Sequence, residues 1–448
     1  MKKILVIGAG LSTACLVKYL LDQCDTEDWQ LTVADKDVNA AKDKIKGHAK
    51  GAAVALDIHN EGERQKLIES HDIVISMLPA FLHTLVAQDC LSLARHLVTA
   101  SYLSDDIKKM ADDADRKGIV MMNEIGLDPG LDHMSAMKVI DDLKGNGGDI
   151  LSFMSFAGGL VAPEYDNNPW NYKFTWNPRN VVLAGQGVSK FIRNGQYKYI
   201  PYHQVFKRVD TFDILDQGLF EAYPNRDSLK YREIYGLEGI PTIYRGTLRR
   251  VGFSEAWNMF VQLGLTDDSY LVENSEKMTY RQFMESFLFY RMTDTIELKL
   301  AYYLDINVDS ANMHKLRWLG LFDDRKIGMK NATPAQILQK LLEEKLSLEP
   351  EDKDMIVMHH LFDYVQDNQS LHVKSSLVVK GDDQEYTAMA KTVGYPLGVF
   401  VKLFLQNKIQ IKGVHLPVIP EIYEPVLEEL KAYGVNFVEE KEALNEVF

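Results

Sequence analysis

The amino terminus constrains the fold most: the apolar run Ile4 to Ile7 ends in Gly8-Ala9-Gly10 and passes directly into a helical pattern. A glycine fingerprint signifies phosphate binding when a strand precedes it and a helix follows, and both conditions are met. Gly8 lets the chain turn tightly. Gly10 removes a side chain where a pyrophosphate would approach the amides of the helix N-terminus. The third glycine position holds Thr13, so a plain strand-to-helix turn remains the alternative reading.

Through residue 125 the same alternation repeats. Strands are expected at Lys3 to Ile7, Gln30 to Ala34, Ala53 to Leu56, Ile73 to Met77, Leu97 to Thr99 and Ile119 to Met122, with helices near 11–22, 39–46, 61–69, 82–94 and 105–117. That order predicts an α/β fold with a doubly wound Rossmann-type parallel sheet, whose ligands sit beyond the carboxyl ends of the strands. Gly8, Gly10, Leu11 and Ser12 are then the pyrophosphate turn. Asp35 closes the second strand, where a carboxylate accepts hydrogen bonds from the adenosine ribose and repels a 2′-phosphate. NAD is therefore favoured, while Lys36 beside it leaves NADP open; a solvated turn aspartate is the alternative. Asp57 and Ile58 follow the third strand, where Asp57 either reaches the adenine side or caps the next helix. The loops Ser76 to Pro79, including Leu78, and Thr99-Ala100-Ser101-Tyr102 should flank the nicotinamide half.

After Gly126 the alternation stops. The 448-residue length calls for more than one domain, since domains run about 100 to 200 residues. The expected division is a dinucleotide-binding domain at 1–128, completed by about 388–448; a second, α+β domain at 129–260 and 360–387; and a mainly helical region at 261–359. Strand patterns lie at Ile150 to Phe156, Thr242 to Val251 and Leu371 to Val379, and Thr387 to Gln406 reads as a long apolar helix containing Gly394 and Pro396. No unbroken apolar run approaches the roughly 18 residues of a membrane helix, so no membrane partner is expected. A net charge of −14 argues against nucleic acid, which needs a basic surface. Cys15, Cys24 and Cys90 are scattered without a CxxC pair, which predicts no metal site and a reducing, cytoplasmic setting.

The segment Asn123-Glu124-Ile125-Gly126-Leu127-Asp128-Pro129-Gly130-Leu131-Asp132-His133-Met134 is more specific. With Thr99-Ala100-Ser101-Tyr102, Tyr223-Pro224-Asn225-Arg226-Asp227-Ser228, Arg245-Gly246-Thr247-Leu248-Arg249 and Thr392-Val393-Gly394-Tyr395-Pro396, it resembles the saccharopine dehydrogenase/reductase family, glutamate-forming, including the carboxyl-terminal half of the animal bifunctional enzyme. Departures occur at Pro79-Ala80-Phe81-Leu82-His83-Thr84 and at Leu160-Val161-Ala162-Pro163-Glu164. The resemblance implies that the α+β domain at 129–260 and 360–387 is an inserted substrate and dimerisation domain, and that the protein is a homodimer carrying out reversible NAD(P)-dependent oxidation of saccharopine to glutamate and 2-aminoadipate 6-semialdehyde in lysine metabolism. A dehydrogenase of another carboxylated secondary amine, of opine or carboxyspermidine type, and a non-enzymatic nucleotide-binding relative are the alternatives.

Saccharopine carries three carboxylates, for which arginine's bidentate fork is suited. Arg226 matches the family's substrate arginine and is expected beside Asp128 at the domain junction, an ion pair with Asp227 being the alternative. Thr247, Leu248 and Arg249 match a substrate block, and strand alternation aims Thr247 and Arg249 to one face. By resemblance Asp128 contacts substrate, although Asp-Pro-Gly also favours a plain turn. The candidates for proton transfer are Asp128, His133 and Lys173, of which His133 reads equally as a core histidine and Lys173 as a solvated lysine on an edge strand. Ser101 and Tyr102 either bind a carboxylate or the nicotinamide amide, or pack the loop.

Overall fold

Strands β1 (Lys2–Ile7), β2 (Trp29–Asp35), β3 (Gly51–Ala55), β4 (Ile73–Ser76), β5 (His96–Thr99) and β6 (Val120–Met122) are short aliphatic runs. Residues Ile4–Ile7 of β1 and all of β4 and β6 are buried, as a parallel sheet covered on both faces requires. The computed structural model describes residues 1–291 and 293–443. All pairings are parallel, in the order β6–β5–β4–β1–β2–β3, the reversal on either side of β1 being the doubly wound pattern. A seventh strand, Gly413–His415, joins beside β6 from far along the chain.

Helices α1 (Ala14–Thr26), α2 (Val38–Ile45), α3 (Glu61–Glu69) and α4 (His83–Ser92) cross between the strands. Leu11–Thr13 and Ala80–Leu82 are single 3-10 turns leading into α1 and α4. The helix expected over 105–117 is broken into Asp105–Lys108 and Ala111–Lys117. The cap of α3 is Asn60, whose side chain accepts from the Glu63 N–H, so Asp57 does not cap it.

The chain divides into two compact units, the first being Met1–Ile150, Ile234–Gly236 and His360–Phe448, of which 444–448 lie outside the described residues. The expected division differs here: 129–150 and 360–387 cluster with the dinucleotide sheet. The helix Leu131–Gly145 is bound there by Tyr423, whose hydroxyl donates to Asp141 Oδ2 at 2.6 Å, and by the Lys138–Glu439 ion pair at 2.6 Å. The helix Ala388–Leu405 matches the long apolar helix expected over Thr387 to Gln406; by length and composition alone it passes as a membrane span, although Lys391 and Lys402 interrupt its apolar run. It packs on α1, with Tyr395 edge-on to Tyr19, and His96 of β5 meets its Phe404.

The second unit is Leu151–Glu233 with Leu237–His359. It carries all but the first two residues of β7 (Asp149–Val161), β8 (Val188–Arg193), β9 (Gln196–Pro201), β10 (Asp210–Asp213), β11 (Leu219–Pro224), β12 (Thr242–Arg250) and the start of β13 (Asp354–Gln366). Pairing runs β10–β11–β12–β7–β13, with the hairpin β8–β9 attached to β12. The region 261–359 is helical up to Leu346, but β13 begins within it. Its core centres on Trp170, Phe253, Trp257 and Phe260, with Trp170 stacked on Phe260 at 5.2 Å.

Candidate active site

In the first unit the phosphate turn lies at the carboxyl ends of β1 and β4. Gly8 has φ +107, and a Cβ on it would lie 2.7 Å from the Met77 carbonyl, so only glycine fits between β1 and the Met77-Leu78-Pro79 loop. A Cβ on Gly10 would meet nothing within 4 Å, so its bare face opens outward toward where a pyrophosphate would approach. Leu11, next in the turn, is exposed. Thr13 replaces the third glycine and closes the turn by donating its hydroxyl to Gly10 O at 2.6 Å. The residues therefore fit a dinucleotide.

Asp35 ends β2 and turns back to this loop: its Oδ2 accepts the Ala9 N–H at 2.7 Å and its Oδ1 the Asp37 N–H at 2.9 Å. Lys36 is exposed beside it. Asp57 is exposed and accepts the His59 N–H at 3.0 Å, making a turn that presents Ile58. The Thr99 hydroxyl accepts the Ser101 N–H at 3.2 Å, which shapes the Thr99-Ala100-Ser101 loop after β5.

His83 stands in the Pro79-Ala80-Phe81-Leu82-His83-Thr84 stretch, where the sequence alone assigns it no role. It is buried at the start of α4, with Nδ1 2.8 Å from the Ser76 hydroxyl and 3.5 Å from that of Thr99. Burial pushes its pKa down to about 4, so it is neutral at physiological pH. Its Nε2 has no partner among the described residues.

The turn after β6 holds the next group. The Tyr102 hydroxyl donates to Asp128 Oδ1 at 3.4 Å, so the structure brings these two candidates together, with Tyr102 exposed and Asp128 half-buried. His133 is fully buried between Glu124 Oε2 and the Tyr235 hydroxyl, each at 2.8 Å, which is the core-histidine reading rather than that of a group facing solvent. Sequence reasoning missed Glu124 and Tyr235. Glu124 lay inside the quoted motif, and its signal was an acid directly after an apolar strand.

In the second unit, the antiparallel pair β11–β12 sets Glu221 opposite Arg249 and Tyr223 opposite Thr247. Alternation puts Arg245, Thr247 and Arg249 on one face of β12 and Leu248 on the other. Arg249 is 2% exposed, and its guanidinium lies over Tyr172, Phe253 and Tyr223 at 5.1, 5.3 and 5.9 Å. Its Nη1 donates to Leu248 O at 2.8 Å, and its Nε has no partner among the described residues. A buried cation held by ring faces, with no carboxylate partner among the described residues, is costly until an anion arrives. Arg245 is also buried, its guanidinium 4.0 Å over Tyr231.

Arg226 follows β11 at φ +47 and is exposed, its side chain without an acidic partner among the described residues. The alternative of an Arg226–Asp227 pair does not hold: Asp227 faces Lys190 at 3.4 Å and its Oδ1 accepts the Leu229 N–H at 3.0 Å. The alternative reading of Lys173 is corrected. It is buried, on no strand, and paired with Asp352 at 2.6 Å, so it is not a solvated lysine on an edge strand, and as a candidate for proton transfer it would act from within that ion pair. Arg226 and Asp128 belong to different units.

Two family models cover nearly the whole chain: "Saccharopine dehydrogenase NADP binding domain" over 4–122 and "Saccharopine dehydrogenase C-terminal domain" over 126–435. The chain is 37% identical to the mitochondrial alpha-aminoadipic semialdehyde synthase of Rattus norvegicus across 97% of its own length and 47% of that protein, and so spans about half of the first curated relatives it matches. It is 32% identical to "Saccharopine dehydrogenase [NADP(+), L-glutamate-forming]" of Pyricularia oryzae over 97% of this chain and 98% of that one. Among solved structures, the apo saccharopine dehydrogenase (L-Glu forming) of Saccharomyces cerevisiae is 31% identical, with a TM-score of 0.90 over 99% of this chain and all of that one. Full-length similarity at this level, on a glycine turn and an arginine-bearing strand pair that both suit the family's chemistry, establishes that the chain belongs to the saccharopine dehydrogenase family.

Proposed function

We propose that this chain is an NAD(P)-dependent oxidoreductase acting on the CH–NH bond of saccharopine, releasing L-glutamate and 2-aminoadipate 6-semialdehyde in lysine metabolism. The observation that carries the reading is a pair of arginines, exposed Arg226 and buried Arg249, with no acidic partner among the described residues. Cation sites of this kind suit a substrate that brings its own carboxylates. Full-length relatives named as glutamate-forming saccharopine dehydrogenases support the same substrate.

When bound, the oxidised dinucleotide accepts a hydride from the carbon beside the secondary nitrogen. The substrate is left as an imine, which water splits into amine and aldehyde. The chain's own residues bind and orient: Arg226 and Arg249 hold carboxylates, and Thr247, on the face of β12 shared with Arg249, adds a hydroxyl. The Tyr102–Asp128 pair holds a proton at the substrate nitrogen.

Within the dinucleotides we favour NAD. The matched family model and the full-length relatives are named for NADP, but the Asp35 carboxylate beside the phosphate turn would repel a 2′-phosphate. The reading also includes a cytoplasmic setting, supported by free, buried Cys15, Cys24 and Cys90, and a homodimer, supported by exposed Val188, Tyr197 and Tyr199 on the β8–β9 hairpin. Nucleic acid and membrane are not among the proposed partners.

Purified protein given saccharopine, an opine or carboxyspermidine with each oxidised dinucleotide tests the function. The expected kcat/KM for saccharopine is at least about tenfold above the others, about 1.4 kcal/mol of discrimination. A better rate with another amine overturns the substrate.

A further inference from the structure

Glu124 is the residue in which several constraints meet. It follows β6 at φ +57, a conformation that side-chain-bearing residues adopt only when their surroundings enforce it. Its main-chain N–H donates to Ser101 O at 3.0 Å, and its Oε1 accepts the Leu103 N–H at 2.8 Å. Both sides of Tyr102 are thereby pinned to one residue. Its other oxygen, Oε2, lies 2.8 Å from His133 Nε2, and His133 Nδ1 lies 2.8 Å from the Tyr235 hydroxyl.

Glu124, His133 and Tyr235 are 5%, 0% and 1% exposed, so the chain is closed to solvent. With the proton on Nε2, the imidazole donates to Glu124 Oε2 and accepts the Tyr235 O–H at Nδ1, so one tautomer serves both contacts. His133 stands in the first turn of the helix Leu131–Gly145, just past the Asp128 turn, which is itself closed by Gly126 N–H to Pro129 O at 3.0 Å and Leu131 N–H to Gly126 O at 2.9 Å. One carboxylate thus sets the loop carrying Tyr102, and through His133 the turn carrying Asp128. Tyr235 anchors the far end in Ile234–Gly236, the short return of the chain to this unit, where Gly236 O accepts Lys144 Nζ at 2.7 Å.

We propose that Glu124, His133 and Tyr235 form a buried positioning chain that sets the Tyr102–Asp128 separation, and that His133 exchanges no proton with substrate. The proposal rests on the reading above, in which Tyr102 and Asp128 handle the substrate proton. A displacement of about 1 Å at such a pair costs on the order of a hundredfold in rate.

The test uses Tyr235→Phe, which removes one hydroxyl, beside Glu124→Gln and His133→Asn, with dinucleotide affinity, KM, kcat and the pH profile of kcat measured in each. Tyr235→Phe is expected to lower kcat about 10- to 100-fold, with KM and dinucleotide affinity within about threefold and every limb of the pH profile retained. Wild-type kcat in folded Tyr235→Phe and Glu124→Gln overturns the positioning chain. Loss of a pH limb in His133→Asn overturns it too, by making His133 an acid or base. If the unaltered protein does not turn over saccharopine, the functional reading falls and this proposal with it. If it does, and both Tyr235→Phe and Glu124→Gln match it, only the positioning chain falls.

Discussion

Replacing Arg226 separates substrate binding from folding cleanly, because the native side chain makes no ion pair among the described residues that its loss would break. Asp227 already has Lys190 and the Leu229 N–H, so Arg226→Ala strands no partner inside the protein. Its effect on stability should stay within about 0.5 kcal/mol, the usual range for a surface change. Arg226→Gly should even stabilise, by about 1 kcal/mol, since φ +47 costs a side-chain-bearing residue that glycine does not pay. Both variants lose the same guanidinium fork. Stranding a bound carboxylate costs about 2 to 5 kcal/mol when the contact is desolvated. Arg226 is exposed in this structure, which argues for the lower end, about 2 kcal/mol or roughly 30-fold in kcat/KM. Arg226→Lys should recover little, because lysine keeps the charge and loses the fork. Steady-state kinetics with saccharopine, cofactor titration and thermal melting together decide it. The reasoning is refuted if folded Arg226→Ala keeps wild-type kcat/KM, or if the alanine and glycine variants differ in activity in step with their stabilities.

Asp35→Ser should narrow the NAD preference when kcat/KM is compared for both cofactors, and a wild-type preference for NADP of about tenfold or more would overturn the assignment. Asp352→Asn leaves the buried Lys173 ammonium without its counter-charge and should destabilise by about 3 to 5 kcal/mol in urea unfolding, whereas Lys173→Met with Asp352→Asn removes the stranded charge, keeps an oxygen for the Glu349 N–H, and should recover most of that and retain turnover; loss of turnover in the folded double variant would establish Lys173 as a catalyst. His83 has a folded pKa lowered to about 4 against an ordinary 6.5, so between those values the unfolded state binds more protons and stability falls as pH falls. His83→Gln should flatten that slope, by up to about 1.4 kcal/mol per pH unit, and an unchanged slope would remove the argument. Activity should survive chelators and a folded triple Cys→Ala variant at Cys15, Cys24 and Cys90; loss of turnover would contradict the absence of a role for them.

The dinucleotide sheet was legible because each strand is a short apolar run and each crossover a helical one, so the periodicities do not compete. The strand Gly413–His415 was not, being three residues long and defined by β6 rather than by its own pattern. The β8–β9 hairpin carried a signal that went unread: Asn194 and Gly195, at φ +51 and +72, form the Asn-Gly turn that joins two antiparallel strands. At the site, short-range features such as Gly8, Asp35 and the alternation of Thr247 and Arg249 could be placed from local rules. What could not be read was pairing at a distance. Lys173 meets Asp352, and His133 meets Tyr235, through contacts between residues far apart in the chain, and these decide whether a charged or titratable group is available for chemistry.

The most direct test of the central claim is to incubate the purified protein with saccharopine and oxidised dinucleotide and quantify every product. The account predicts L-glutamate and reduced dinucleotide in equal amounts, together with the semialdehyde. Release of lysine and 2-oxoglutarate would mean that the bond on the other side of the nitrogen is cleaved, and that result, or no reduction of either dinucleotide, would contradict it.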